Sequence, residues 1–104
     1  MGDTALAGGS RSVAEAREIV LRALAGSGAR VFLFGSRARG DAYLASDIDI
    51  AVLPSRPLPA GLLADLREQL EESALPQTVD LVDLSEADPD FRSRVLAEGI
   101  EWRA

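Results

Sequence analysis

Cysteine is absent from this 104-residue chain, so it has no disulfide, no thiolate nucleophile and no zinc–sulfur site. Histidine is absent too, which removes the commonest general base and the serine–histidine template for hydrolysis. Lysine is missing as well: all 11 basic residues are arginine, and a Walker A phosphate loop cannot be built without its lysine. The lack of lysine and asparagine reads as the bias of a GC-rich genome. Nowhere does the chain approach the ~20 apolar residues of a membrane span. Residues 1–12 (MGDTALAGGSRS) lack the basic and apolar regions of a signal peptide, so a cytoplasmic protein with no membrane partner is expected. Positive charge is short: the net charge of −6 and pI near 4.5 argue against direct nucleic-acid binding, which needs a basic face. Chemistry is left to carboxylates, arginines, hydroxyls, backbone amides and any metal they hold.

What is present is ordinary for a folded chain. With 11.0 kDa, 47% hydrophobic and 27% charged residues, it has the size and composition of one small domain. The first twelve residues are small and polar and are expected to form a flexible segment, leaving residues 13–104 as the domain. Ser12-Val13-Ala14-Glu15 fits a capping box, and Val13, Ala16, Val20 and Leu24 continue at helical spacing until Gly26 and Gly28. Arg30 to Phe34 is a short β-branched and aromatic run, read as a buried strand. A polar, turn-rich connection from Ser36 to Ser46 leads to a second apolar strand, Ile48 to Leu53. Pro59 suits the start of a helix with the stripe Leu62, Leu63, Leu66 and Leu70, and Pro76 stops it. Thr78 to Leu84 reads as a third strand, Asp88-Pro89 as the cap of a last helix, and Ile100 to Trp102 as a short edge strand. The pattern is an α/β domain with a small mixed β-sheet packed with helices.

The chemistry gathers between Gly35 and Ile50, GSRARGDAYLASDIDI. Asp47 and Asp49 are two apart at the start of a strand, so their carboxylates project from one face. Two like charges on a largely apolar strand repel unless a cation neutralises them, and an all-oxygen set suits a hard ion such as Mg²⁺. Gly35-Ser36 directly follows the preceding strand, where glycine lets a phosphate approach the backbone and a helical turn would offer N–H groups. Arg37 and Arg39 lie just beyond and would hold a polyphosphate. Each pair is common by chance; the combination is informative for a geometric reason. If the two strands are adjacent and antiparallel, Gly35 and Asp47 meet in space. The helix after the second strand makes a crossover, so the third strand should run parallel to it, with Asp80 level with Asp49 and Asp83 about 10 Å further along on the opposite face. Asp80 is therefore the candidate third carboxylate, and Asp83 a strand-end surface residue.

GSRARG, SDIDIAV and VDLVDL, with the ending FRSRVLAEGIEW, closely resemble the minimal nucleotidyltransferases of the polymerase-beta superfamily, the MNT-domain proteins. The likeness runs from Val31 to Trp102. The Gly-Ser plus Asp-x-Asp pair is a superfamily signature, and GSRARG with SDIDI narrows it to this branch. The resemblance implies a polymerase-beta-like core in which Asp47, Asp49 and Asp80 are catalytic and bind metal, while Gly35 and Ser36 hold the nucleotide's outer phosphates. It also implies that ATP is the donor, and that the partner is a HEPN-domain toxin for which many relatives act as antitoxin. Some of those relatives transfer AMP from ATP to a toxin tyrosine.

The leading expectation is thus a nucleotidyltransferase with two Mg²⁺ ions, in which a hydroxyl attacks the α-phosphorus of ATP and Asp80 is the candidate general base. Little chain remains outside the core to grip an acceptor, so the acceptor should come from a partner protein or from a second copy in a homo-oligomer. Two other readings compete with it. One is a binding module that neutralises its partner by occlusion; intact Gly35, Ser36, Asp47, Asp49 and Asp80 speak against it. The other, a sugar-nucleotide glycosyltransferase with an Asp-x-Asp metal motif, needs a longer chain. Arg39-Gly40-Asp41 spells an adhesion tripeptide, a coincidence in a chain without a secretion signal.

Overall fold

The computed structural model describes residues 4–40 and 47–103. Residues 1–3, residues 41–46 of the turn-rich connection (Asp41 of the tripeptide among them) and residue 104 lie outside the described residues. The elements are α1 (Thr4–Ala23), β1 (Arg30–Phe34), α2 (Ser36–Arg39), β2 (Ile48–Leu53), α3 (Leu62–Glu72), β3 (Val79–Asp83), α4 (Pro89–Glu98) and β4 (Ile100–Trp102), with a 3₁₀ turn at Leu84–Glu86. Four strands form one sheet in the order β3-β2-β1-β4. β1 runs antiparallel to both β2 and β4, and β2 pairs parallel with β3 across the α3 crossover. The expected mixed sheet is present. Among the described residues, no helix is long and apolar enough to cross a membrane.

Strand alternation divides the apolar side chains between two faces. One face carries Val31, Leu33, Ile48, Ile50, Val52 and Leu81, closed by Ala16 and Val20 of α1 and Leu24 just after it, by Leu66 and Leu70 of α3, and by Trp102. The other carries Phe32 and Ala51 under Leu84 and Val95, with Phe34, Val82 and Phe91 packed against them. Phe34 and Phe91 meet edge to face, with centroids 5.5 Å apart. The second cluster is the smaller, and α4 covers that face only in part. The remainder of the face carries the polar residues of interest.

Several expected boundaries moved. The capping box predicted a helix start at Ser12; α1 begins at Thr4, so Ser12 to Glu15 lie inside the helix. Ser12 is 8% exposed, packed inward as a buried residue rather than standing at a helix end. At the other crossover, α3 starts at Leu62 rather than at Pro59, because Gly61 takes a left-handed turn (φ +81°) and the Leu62 N–H returns to the Pro59 carbonyl at 3.1 Å. β3 ends at Asp83, one residue before the expected Leu84. The Asp83 carboxylate accepts from the N–H and hydroxyl of Ser85 (2.9 and 2.6 Å) and folds the chain into the 3₁₀ turn. The Asp88 cap, with Pro89 opening α4, is as expected: its carboxylate accepts from the N–H groups of Asp90 and Phe91.

Candidate active site

The antiparallel register pairs Phe34, the last residue of β1, with Asp49, and the parallel register pairs Asp49 with Asp80. Directly paired residues point to the same side of a sheet, so Asp49 and Asp80 stand side by side on the α4 face, beyond the part that α4 covers. Asp47, two residues before Asp49, enters from the same end. Asp83 pairs with Val52 at the far end and is occupied as a cap, so only Asp80 of the two β3 aspartates reaches the cluster.

Gly35 forms the other wall. Its φ of +74° is a conformation that L side chains rarely adopt, and a Cβ built there would overlap the Asp49 carboxylate. Glycine is therefore required twice, for the turn out of β1 and for contact with Asp49. One turn of helix opens at Ser36; the Gly35 carbonyl accepts from the N–H groups of Ala38 and Arg39, both at 3.1 Å, and Gly40 (φ +83°) closes the turn. The Ser36 end of β1 and the Asp47 end of β2 do meet. Arg37 stitches them, its Nε donating to the Asp47 carbonyl at 3.3 Å. Sequence reasoning gave Arg37 to phosphate, and the structure also gives it this backbone contact.

The electrostatics follow from this packing. Asp47 and Asp80 are exposed and Asp49 is half-buried. Burial raises the Asp49 carboxyl above the usual carboxylate range, and the charges of Asp80 and Asp47 add to the shift; Arg37 and Arg39 oppose it. The cluster is short of positive charge, and its donors are all carboxylate oxygens, the set that a hard divalent cation takes. Among the described residues, no three acidic groups stand close enough to enclose an ion. The donor chemistry of the cluster fits a divalent ion approached from the open side.

One residue escaped the sequence reading. A cleft of about 210 Å³ opens between α2 and α4, lined by Phe34, Gly35, Ala38, Arg39, Phe91, Arg94, Val95 and Glu98. Arg94 reaches it from α4, 54 positions beyond Gly40, and no local spacing links it to GSRARG. The available signal was helical: Phe91 and Val95 mark the buried side of α4, and Arg94 borders it.

A family model described as Polymerase beta, Nucleotidyltransferase matches residues 28–101. The MntA protein of Haemophilus influenzae is 42% identical over 62 residues, 60% of this chain and 54% of that protein. The protein adenylyltransferase MntA of Shewanella oneidensis is 41% identical over 69 residues, 66% of this chain and 49% of that protein. This chain spans about half the length of these curated relatives. A solved complex of the tri-AMPylated HEPN toxin of Shewanella oneidensis with its MNT antitoxin contains a chain that superposes with a TM-score of 0.61 at 31% identity, covering 89% of this chain and 73% of that one. With its matched segment taking in both Gly35-Ser36 and the three aspartates, the chain belongs to the polymerase beta nucleotidyltransferase family.

Proposed function

We propose that residues 13–104 form a nucleotidyltransferase domain that moves AMP from ATP to a hydroxyl of a partner protein, the tyrosine of a HEPN-domain toxin, and so acts as its antitoxin in the cytoplasm. The observation that carries the reading is the in-register pairing of Asp49 with Asp80 beside the glycine that touches Asp49. The relatives supply the acceptor class: one is a protein adenylyltransferase, and one solved complex holds an AMPylated HEPN toxin.

In this reading the acceptor oxygen bonds to the α-phosphorus, the bond from that phosphorus to the bridging oxygen breaks, and pyrophosphate leaves with the electron pair. Asp47, Asp49 and Asp80 would hold the divalent ions, two Mg²⁺ in this reading, and bound there the ions would neutralise the charge of the phosphates. Gly35 lets the β- and γ-phosphates approach the backbone, and the Ser36 hydroxyl donates to a phosphate oxygen. Arg39 adds positive charge from α2, and Arg37 both adds charge and holds Asp47 in line with β2. Asp80, exposed on the edge strand, accepts the proton of the attacking hydroxyl.

The test mixes the chain with a HEPN-domain partner and ATP labelled at the α-phosphate. Wild type should label a partner tyrosine, and the Asp47→Asn, Asp49→Asn double variant should lose labelling while still binding the partner. Neutralisation by the double variant with no label transferred by wild type would make occlusion the function.

A further inference from the structure

β3 is an outer strand of the sheet, held by β2 on one side alone. The Ile48 N–H donates to the Thr78 carbonyl at 2.9 Å, and strand alternation turns the backbone of Asp80 and Val82 toward β2 as well. The backbone groups of Val79 and Leu81 are left at the open edge. Such an edge frays unless something covers it. Here an arginine does. Arg67 of α3 reaches over, and its Nε and Nη2 donate together to the Leu81 carbonyl at 3.3 and 3.1 Å. Among the described residues it pairs with no carboxylate, although Glu71 stands one helical turn on. Its neighbour Leu66 and Leu81 itself are both buried, so each end of the contact is anchored in the core.

We infer that Arg67 is a positioning residue for the transfer reaction: by clamping the Leu81 carbonyl it fixes the edge of β3 and, one residue back, the Asp80 carboxylate. The inference rests on the nucleotidyltransferase reading, in which Asp80 takes the proton of the attacking hydroxyl. Asp80 is exposed, and its carboxylate accepts no hydrogen bond among the described residues, so its place is set by its own backbone. Asp49 differs, being half-buried on an inner strand. A tilt of β3 about its bonds to β2 therefore shifts Asp80 and leaves Asp49 and the Gly35 turn in place. Displacing a reacting group by about 1 Å can cost about a hundredfold in rate. A second arginine supplies the contrast. Arg92 of α4 makes the same kind of contact, Nε to the Leu84 carbonyl at 2.9 Å and Nη2 to the Ala87 carbonyl at 3.3 Å, but it braces the 3₁₀ turn past the far end of β3. That clamp holds the fold, with no aspartate of the cluster beside it.

Labelling of a HEPN-domain partner from α-labelled ATP in Mg²⁺, with kcat and the KM for ATP measured separately on the intact chain, tests the role. Arg67→Met keeps an aliphatic stem and removes the donors. It should lower kcat about tenfold with the KM for ATP within about twofold, and Arg67→Lys, which retains a donor, should recover most of the loss. Amide hydrogen exchange along β3 should quicken in Arg67→Met and slow again in Arg67→Lys. Arg92→Met should melt lower than wild type yet keep wild-type kcat, which separates a positioning defect from a folding defect. A normal kcat in Arg67→Met, a rise in the KM for ATP alone, or unchanged exchange in β3 would overturn the positioning role. So would a loss of kcat in Arg92→Met as large as that in Arg67→Met. If Asp80→Asn abolishes transfer while Arg67→Met is normal, the clamp is dismissed and the enzyme reading stands. Full transfer by Asp80→Asn would remove Asp80 from the chemistry and Arg67 with it, and no transfer by wild type would overturn both readings.

Discussion

At the scale of the residue, Asp49 is under opposing demands. Folding half-buries its carboxyl beside two others, which raises its folded pKa above the unfolded value of 3.8. A raised carboxyl pKa means that the native state binds the proton more tightly than the unfolded chain does. Its stabilising contribution is whole below pH 3.8 and is lost as pH rises through the folded pKa, so at neutral pH the ionised group is a net cost. In EDTA, Asp49→Asn should therefore melt higher than wild type at pH 7, with the gap closing toward pH 4; a variant that melts lower at pH 7 would contradict this account. Adding Mg²⁺ should raise the melting temperature of wild type and leave Asp49→Asn nearly unchanged, since only the former gains a bound ion. Part of this was legible in the sequence. Asp-x-Asp on a strand announces two carboxylates on one face, and glycine after a strand announces a turn. That Gly35 must also lack a side chain because Asp49 lies against it depends on the cross-strand register, which no local pattern encodes.

At the scale of the element, the two aspartates of β3 separate structure from chemistry. Asp83 caps the 3₁₀ turn, so Asp83→Ala should cost about 1 kcal/mol of stability, as lost caps do, with transfer retained. Asp80 is exposed at the cluster; Asp80→Asn should abolish transfer with little change in chemical denaturation. Denaturant melts and α-phosphate labelling on both variants check this, and reversed effects would mean that the register of β3 had been misread. The face assignment of these two residues followed from strand periodicity and the crossover rule. The capping role of Asp83 was missed because an aspartate before Leu-Ser-Glu looks the same on an exposed strand end as in a turn. Helix starts were the least legible feature. A Ser-x-x-Glu pattern occurs inside helices as readily as at their ends, and burial of Ser12 by the core belongs to tertiary packing. Gly99 carries a related lesson: its φ of −72° is ordinary, but a Cβ there would fall 2.6 Å from the Val95 carbonyl and 3.2 Å from the Leu33 carbonyl. The glycine that ends α4 is needed for space between helix and sheet, which the sequence presents only as a stop signal.

Across the whole molecule, the two faces of the sheet are unequally clothed. α1 and α3 close one face, whereas α4 and the 3₁₀ turn cover only part of the other and leave the end near Gly35 and Asp49 open. The mixed sheet was foreseeable from the order of apolar runs and from the crossover, but the partial cover was not, since it depends on α4 being only 10 residues long and lying over β1. Trp102, the single tryptophan, is 8% exposed and pairs with Val31 at the β4 edge while packing into the larger core. The Arg17 guanidinium donates to the Arg103 carbonyl and ties this edge to α1. Both clusters share β1 and β2, so they should unfold together. Tryptophan fluorescence and far-ultraviolet circular dichroism should give coincident denaturation curves. Fluorescence that changes first would mean that β4 detaches as a separate unit.

The pairing of Asp49 with Asp80 has a consequence for what this scaffold tolerates. Adjacent strands lie about 4.8 Å apart whatever side chains they bear, so the backbone ladder serves as a ruler for the two carboxylates. Helices can lengthen, loops can vary and the core can be repacked without altering that measure. A single residue inserted into β2 or β3 between the aspartates and the paired core would be different in kind, because it turns one carboxylate to the opposite side of the sheet. Drift is harmless to such a site and slippage is fatal, with nothing graded between the two.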